Sequence, residues 1–199
     1  MSGAGAVRED SGVRLRFIDT ADQQMPVAIL EWQRRAPLLA DLVALFADLG
    51  LRVANHELLP SGEDSDAFVH RFGFSTDEID WSAATPNLLR AAFEAAASGD
   101  LEVDGFTRLI ASASIPFTDA VLVRAAARYL GQVGLELSEP TVVSILLRHS
   151  DFVRGFCALF HARFDPDVTD RDRPSAAAED ILDTAVERTS ALDEDRLLR

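Results

Sequence analysis

Lysine is absent: all 19 basic residues of the 199-residue chain are arginine. That excludes Schiff-base chemistry, a phosphate-binding P-loop lysine and a lysine general base within these residues. Cysteine occurs once, as Cys157, so no internal disulfide framework exists and a reducing cytoplasm is the simplest setting. The N-terminal MSGAGAVREDSG lacks a basic stretch followed by an apolar run, and no uninterrupted apolar segment approaches bilayer length. Neither secretion nor membrane insertion is signalled. Positive charge is scarce as well. With 33 acidic residues the formal net charge is −14 and the pI about 4.6, which argues against nucleic acid or an anionic membrane as partner.

What the chain does have is apolar residues, 48% of the total, enough for one ordinary domain or two small ones. Residues 1–12 are small and polar and predict a disordered N-terminus. From Val13 to Ile18 apolar residues alternate with arginine, the period-2 mark of a half-exposed strand. Thr20–Met25 reads as a turn and Val27–Trp32 as the returning strand, although VAIL equally suits a helix start. Pro37 opens an amphipathic helix with Leu38, Leu39, Leu42, Leu45, Phe46 and Leu49 on one stripe and Gly50 as its cap. Leu51–Leu59 and Ala67–Phe74 then read as a second hairpin across Pro60–Asp66. Residues 13–75 thus form a β-β-α-β-β unit, a two-layer α+β arrangement. Arg14, Arg16, His56 and Arg71 mark its candidate solvated face. The unit resembles a truncated ACT-like, ferredoxin-like regulatory fold, which implies amino-acid binding or oligomer contacts; a purely structural role is the competing reading.

Composition changes between residues 75 and 85, and residues 76–199 predict an all-helical bundle. A helix spans about Asn87–Ala97 and stops at Gly99. Asp104 is a candidate N-cap for a short helix carrying Phe106, Leu109 and Ile110, broken at Ile115-Pro116. Thr118 is the candidate cap of the next helix, Asp119–Val133, with Asp119 at the positive end of its dipole. That helix is apolar around most of its circumference, which predicts a buried central position. Arg124, Arg128 and Gln132 supply its only polar stripe, solvated or an interface. Ser138 caps a helix ending at Arg148. Ser150 and Asp151 start another, with Phe152, Val153, Phe156, Cys157, Phe160 and Phe164 on one face and Asp165-Pro166 at its end. The acidic tail is helical from about Ser175 and reaches Arg199 in mid-pattern, which suggests a longer parent chain.

Candidate chemistry is sparse. Cys157 lies in an apolar stripe with no histidine read on its face, so a buried structural thiol outweighs a nucleophile. His56, His70, His149 and His161 show no HExxH or close i, i+4 spacing, so no metal site is expected. The carboxylate pairs Glu63/Asp64 and Asp77/Glu78 fall in loops and read as solvated charge. Gly131 and Gly134 give GQVG, which lacks the strand and third glycine of a dinucleotide fingerprint. No catalytic, cofactor-binding or metal residue is assigned.

Several segments nonetheless carry a family likeness. LADLVALFADLGLRVANHELLP at Leu39–Pro60, FVHRFGF at Phe68–Phe74, DGFTRLIASASIPFTDAVLVRAAARYLGQ at Asp104–Gln132, ALFHARFDP at Ala158–Pro166 and LDEDRLLR at Leu192–Arg199 resemble, in order, segments of the large bacterial NAD-specific glutamate dehydrogenases. Departures occur at Thr107 for the family's asparagine, Phe117-Thr118 for its tryptophan-arginine pair, and Ala44 for a proline. The resemblance implies ACT-like modules joined to helical motifs ahead of the catalytic half. NAD and the glutamate-binding lysines would then be held beyond Arg199. The implied role is assembly or regulation within a cytoplasmic homo-oligomeric enzyme, through self-association, contact with the catalytic region or an amino-acid effector. The alternative is a stand-alone amino-acid-sensing or protein-interaction module.

Overall fold

The structure, a computed structural model, describes residues 13–18, 26–33, 38–60, 67–75, 79, 81 and 85–199. The expectations for residues 1–12, the turn at 20–25, Pro37, residues 61–66 and most of the link at 76–84 fall outside them. Strands β1 (Val13–Ile18), β2 (Val27–Gln33), β3 (Val53–Leu59) and β4 (Ala67–Phe74) form one antiparallel sheet in the order β1-β2-β4-β3. Helix α1 (Leu39–Asp48) links β2 to β3, which run parallel with β4 between them. This is a split β-α-β arrangement of the ferredoxin-like kind, extended by β1 at one edge.

Why α1 stops where it does is local. Gly50 adopts φ +85°, its N–H reaches Ala47 O at 3.0 Å, and the Leu51 N–H reaches Phe46 O at 2.8 Å. These paired bonds satisfy the last carbonyls of the helix, and the left-handed residue between them favours glycine. Leu42, Phe46 and Leu49 of the apolar stripe are buried, whereas Leu38 and Leu39 remain exposed. Phe46 is the centre of the sheet-facing core, with Phe72, Phe74 and Phe93 ring centroids at 4.9, 5.1 and 5.5 Å. Each such phenylalanine contributes about 1.5–3 kcal/mol by leaving water.

Phe93 belongs to α2 (Thr85–Ser98), which lies along β1. The layer covering the sheet is therefore completed by a helix beyond the composition change at 75–85. Then follow a 3-10 turn (Gly105–Arg108) running into α3 (Leu109–Ser112), α4 (Phe117–Gln132), α5 (Glu139–Arg148), α6 (Ser150–Phe164), α7 (Asp172–Glu187) and α8 (Leu192–Leu198). Buried residues from the sheet, α1, α2 and the later helices make one continuous cluster. The architecture is α+β with a helical part.

Several local expectations need correction. A bulge between Val53 and Asn55 shifts the alternation of β3, so His56 pairs with Phe72 and faces the core side, away from Arg14, Arg16 and Arg71. Thr118 does not cap α4. Pro116 does, with ψ 156°, and its carbonyl accepts from Asp119 N at 3.0 Å and Ala120 N at 3.2 Å. The fixed φ of proline sets the helix start at Phe117, two residues earlier than a threonine cap at 118 would. Nor is α4 enclosed: Val121, Tyr129 and Val133 are 41%, 63% and 61% exposed. Helix α7 begins at Asp172, with Pro174 accommodated in its first turn, not at Ser175.

Candidate functional site

The informative chemistry of the helical part lies in side chains that close on one another. Asp104 caps the 3-10 turn as its spacing predicts, Oδ1 accepting from Phe106 N at 2.9 Å. Its Oδ2 lies 2.7 Å from Arg124 Nε, an ion pair in which the N–H does not aim at the oxygen. Arg124 also donates through Nη2 to Glu102 O at 2.7 Å and through Nη1 to Glu102 Oε2 at 3.2 Å. Its side chain is 7% exposed. The expected polar stripe therefore divides: Arg124 is an internal brace, while Arg128 and Gln132 stay on the surface, with Arg128 Nη2 at 3.9 Å from Asp104 Oδ2.

A second closed set joins α4 to α6. His161 Nε2 lies 2.8 Å from Asp119 Oδ1, and the Cys157 thiol hydrogen-bonds the same carboxylate. Cys157 and His161 are one turn apart on α6, so a histidine does share the cysteine's face; the i, i+4 spacing carried that signal. Burial, then the neighbouring Asp119 charge and hydrogen bond, push the thiol up to about 12 from its usual 9.0. It is a protonated donor at neutral pH, and Cys157 is buried as its apolar stripe predicts.

Helix α8 is tied to α5 through Glu194. Its Oε1 accepts from Arg148 Nη2 at 2.9 Å, and its Oε2 accepts from Ser190 N at 3.2 Å and lies 3.6 Å from His149 Nε2. Chiefly through the Arg148 hydrogen bond, the carboxyl is held down at about 2. Nothing local in the sequence marks this pairing across 46 positions. On the sheet, His56 Nε2 and His70 Nδ1 are 2.9 Å apart, with rings stacked at 5.1 Å. Burial, then the His56 charge, lower the pKa of His70.

The remaining feature is a cleft of about 670 Å³ where the α1–β3 connection, the 3-10 turn, α3 and α5 meet. Arg108, Ser112, Glu139, Ser144 and Arg148 are among the residues lining it. Gly131 lies inside α4 rather than in a phosphate-binding turn. Among the described residues no group of three or more His, Cys, Asp or Glu could hold a metal, and no helix is long and apolar enough to cross a membrane.

With this geometry in view, comparison with known proteins is informative. Residues 101–166, from just before the 3-10 turn to the end of α6, match the family model described as glutamate dehydrogenase, helical motif 3. The NAD-specific glutamate dehydrogenase of Pseudomonas aeruginosa is 32% identical over 169 residues, 81% of this chain and 10% of that enzyme. Its namesake from Mycobacterium tuberculosis is 29% identical over 205 residues, covering 96% of the chain and 12% of the enzyme. That of Halomonas elongata is 27% identical over 173 residues, 84% and 11% respectively. The chain spans about one-tenth of the length of these relatives. By helical motif 3 and by a match running through most of its length, the chain is a relative of the large bacterial NAD-specific glutamate dehydrogenases and corresponds to one segment of them.

Proposed function

We propose that the chain acts as a non-catalytic structural and regulatory segment of an NAD-dependent glutamate dehydrogenase, whose whole reaction is oxidative deamination of glutamate to 2-oxoglutarate with reduction of NAD. The observation that carries this reading is the match of 81% of the chain to 10% of the Pseudomonas aeruginosa enzyme. NAD and the reacting groups then belong to the rest of the enzyme, in the cytoplasm. Within the segment, polar side chains are paired in place: Arg124 with Asp104 and Glu102, His161 with Asp119, Arg148 with Glu194. Such sets brace helices against one another. The exposed apolar side chains of α4, together with Phe160 and Phe164 of α6, are the surface through which it meets the catalytic region or a second subunit.

The test is a graft. Replacing the matching segment of the Pseudomonas aeruginosa enzyme with this chain should preserve glutamate-dependent NAD reduction and the native oligomer. Changing Tyr129 and Phe164 to aspartate in the graft should disrupt assembly, leaving the isolated segment folded. A graft whose assembly and activity ignore both substitutions would contradict the reading.

A further inference from the structure

We propose that the cleft between the α1–β3 connection, the 3-10 turn and α5 binds a small molecule bearing a carboxylate, received by Arg108. At about 670 Å³ it has the size of a small-ligand pocket. Its two arginines differ in state. Arg148 is held by Glu194 and by Ser144 Oγ at 2.8 Å. Arg108 is exposed, and its guanidinium makes no hydrogen bond or ion pair to any described residue. In a chain of net charge −14 an anion is repelled almost everywhere, so a guanidinium that no described residue holds, inside a concavity, is where one can be held. The planar fork of arginine matches a carboxylate through two parallel hydrogen bonds.

Two further groups shape the specificity. The Ser112 hydroxyl is buried beside the cleft without a hydrogen-bond partner among the described residues, an unspent polar group that a ligand oxygen or a bridging water would satisfy. Glu139, at the start of α5, lines the same cleft. A ligand with an amine as well as a carboxylate engages both Arg108 and Glu139, whereas a simple dicarboxylate engages Arg108 alone. The shared chemistry is the carboxylate. The inference stands on the cleft and not on kinship with the dehydrogenases, so its failure would leave that kinship untouched.

Isothermal titration of the 199-residue chain with glutamate, succinate and inorganic phosphate tests it. Saturable binding of glutamate or succinate is expected at a Kd of roughly 1 mM or tighter. Arg108→Gln should weaken it about tenfold, the loss of a charge-assisted hydrogen-bonding group. Ser144→Trp, at an exposed position on the cleft wall, should abolish it by filling the space. Glu139→Gln separates the sources: selective weakening of glutamate identifies an amino acid, and glutamate binding left unchanged identifies an organic acid recognised without an amine, each consistent with the carboxylate site. The proposal is overturned by flat titrations with both carboxylates, by binding that survives Arg108→Gln and Ser144→Trp, or by binding of phosphate alone.

Discussion

The Thr107 hydroxyl lies 2.7 Å from the Asp48 carbonyl oxygen, joining the 3-10 turn to the last turn of α1 across 59 positions. The same hydroxyl is 2.6 Å from Asp104 O within its own turn, and Thr107 is fully buried. A helix-terminal carbonyl has no partner within its helix and must find one elsewhere. Thr107→Val keeps the shape and removes the donor, so it should destabilise the chain by about 1–3 kcal/mol, the cost of leaving a buried acceptor unsatisfied. Thr107→Ser should cost less. Urea midpoints for the three proteins check the order.

Arg124 and Asp104 give a test of coupling. Removing one partner of a buried ion pair strands the other, so Arg124→Met should cost about 3–5 kcal/mol. In the double variant Arg124→Met/Asp104→Asn the stranded charge is gone and much of the loss should return. A double-mutant cycle measures this; strictly additive losses would show that the pair is not coupled.

The His56–His70 contact makes stability depend on pH. Burial and the His56 charge lower the native pKa of His70 below its usual 6.5. Between 6.5 and that lower native value the unfolded chain binds the proton more readily, so stability falls as pH falls through this window. Above 6.5 the contribution is fully present. Glu194, held at about 2, contributes fully above its usual 4.5 and loses that contribution as pH falls from 4.5 to about 2. Loss between pH 6.5 and 4.5 therefore belongs to the histidine and not to Glu194, and His70→Leu should flatten the profile of urea midpoint against pH there.

Cys157 should be inert in the folded chain. With its thiol pushed up to about 12 and its side chain buried, almost no thiolate exists at pH 8. Reaction with a disulfide reagent should proceed at the rate of opening and become immediate in urea. Rapid native-state labelling would contradict the Asp119 hydrogen bond as drawn.

How much of this the residues themselves announced varies by element. Strand β1 lies where alternation placed it, because a sheet with one buried face imposes period 2 on its sequence, and β4 lies where the turn signals before it placed a hairpin partner. Gly50, Asp104 and Ser138 were legible as caps for the same kind of reason: each acts within a few residues of itself. His56 was misplaced because a single inserted residue in β3 inverts every side chain after it, and no residue type signals that bulge. Arg124 reads from sequence as part of a solvated or interface stripe because its partners, Glu102 and Asp104, are brought beside it only by the folding of the intervening turn. The Cys157/His161 spacing of one helical turn is visible in the sequence itself. Glu194 and Arg148, by contrast, meet only through the tertiary path of α6 and α7.

The most direct test is an assay of the purified 199-residue chain for glutamate-dependent reduction of NAD. A segment whose reacting groups belong to the rest of the enzyme should show no turnover above the no-enzyme rate, while remaining folded and cooperatively unfolding. Measurable, saturable turnover by this chain alone would contradict the claim that it is a non-catalytic part of a glutamate dehydrogenase.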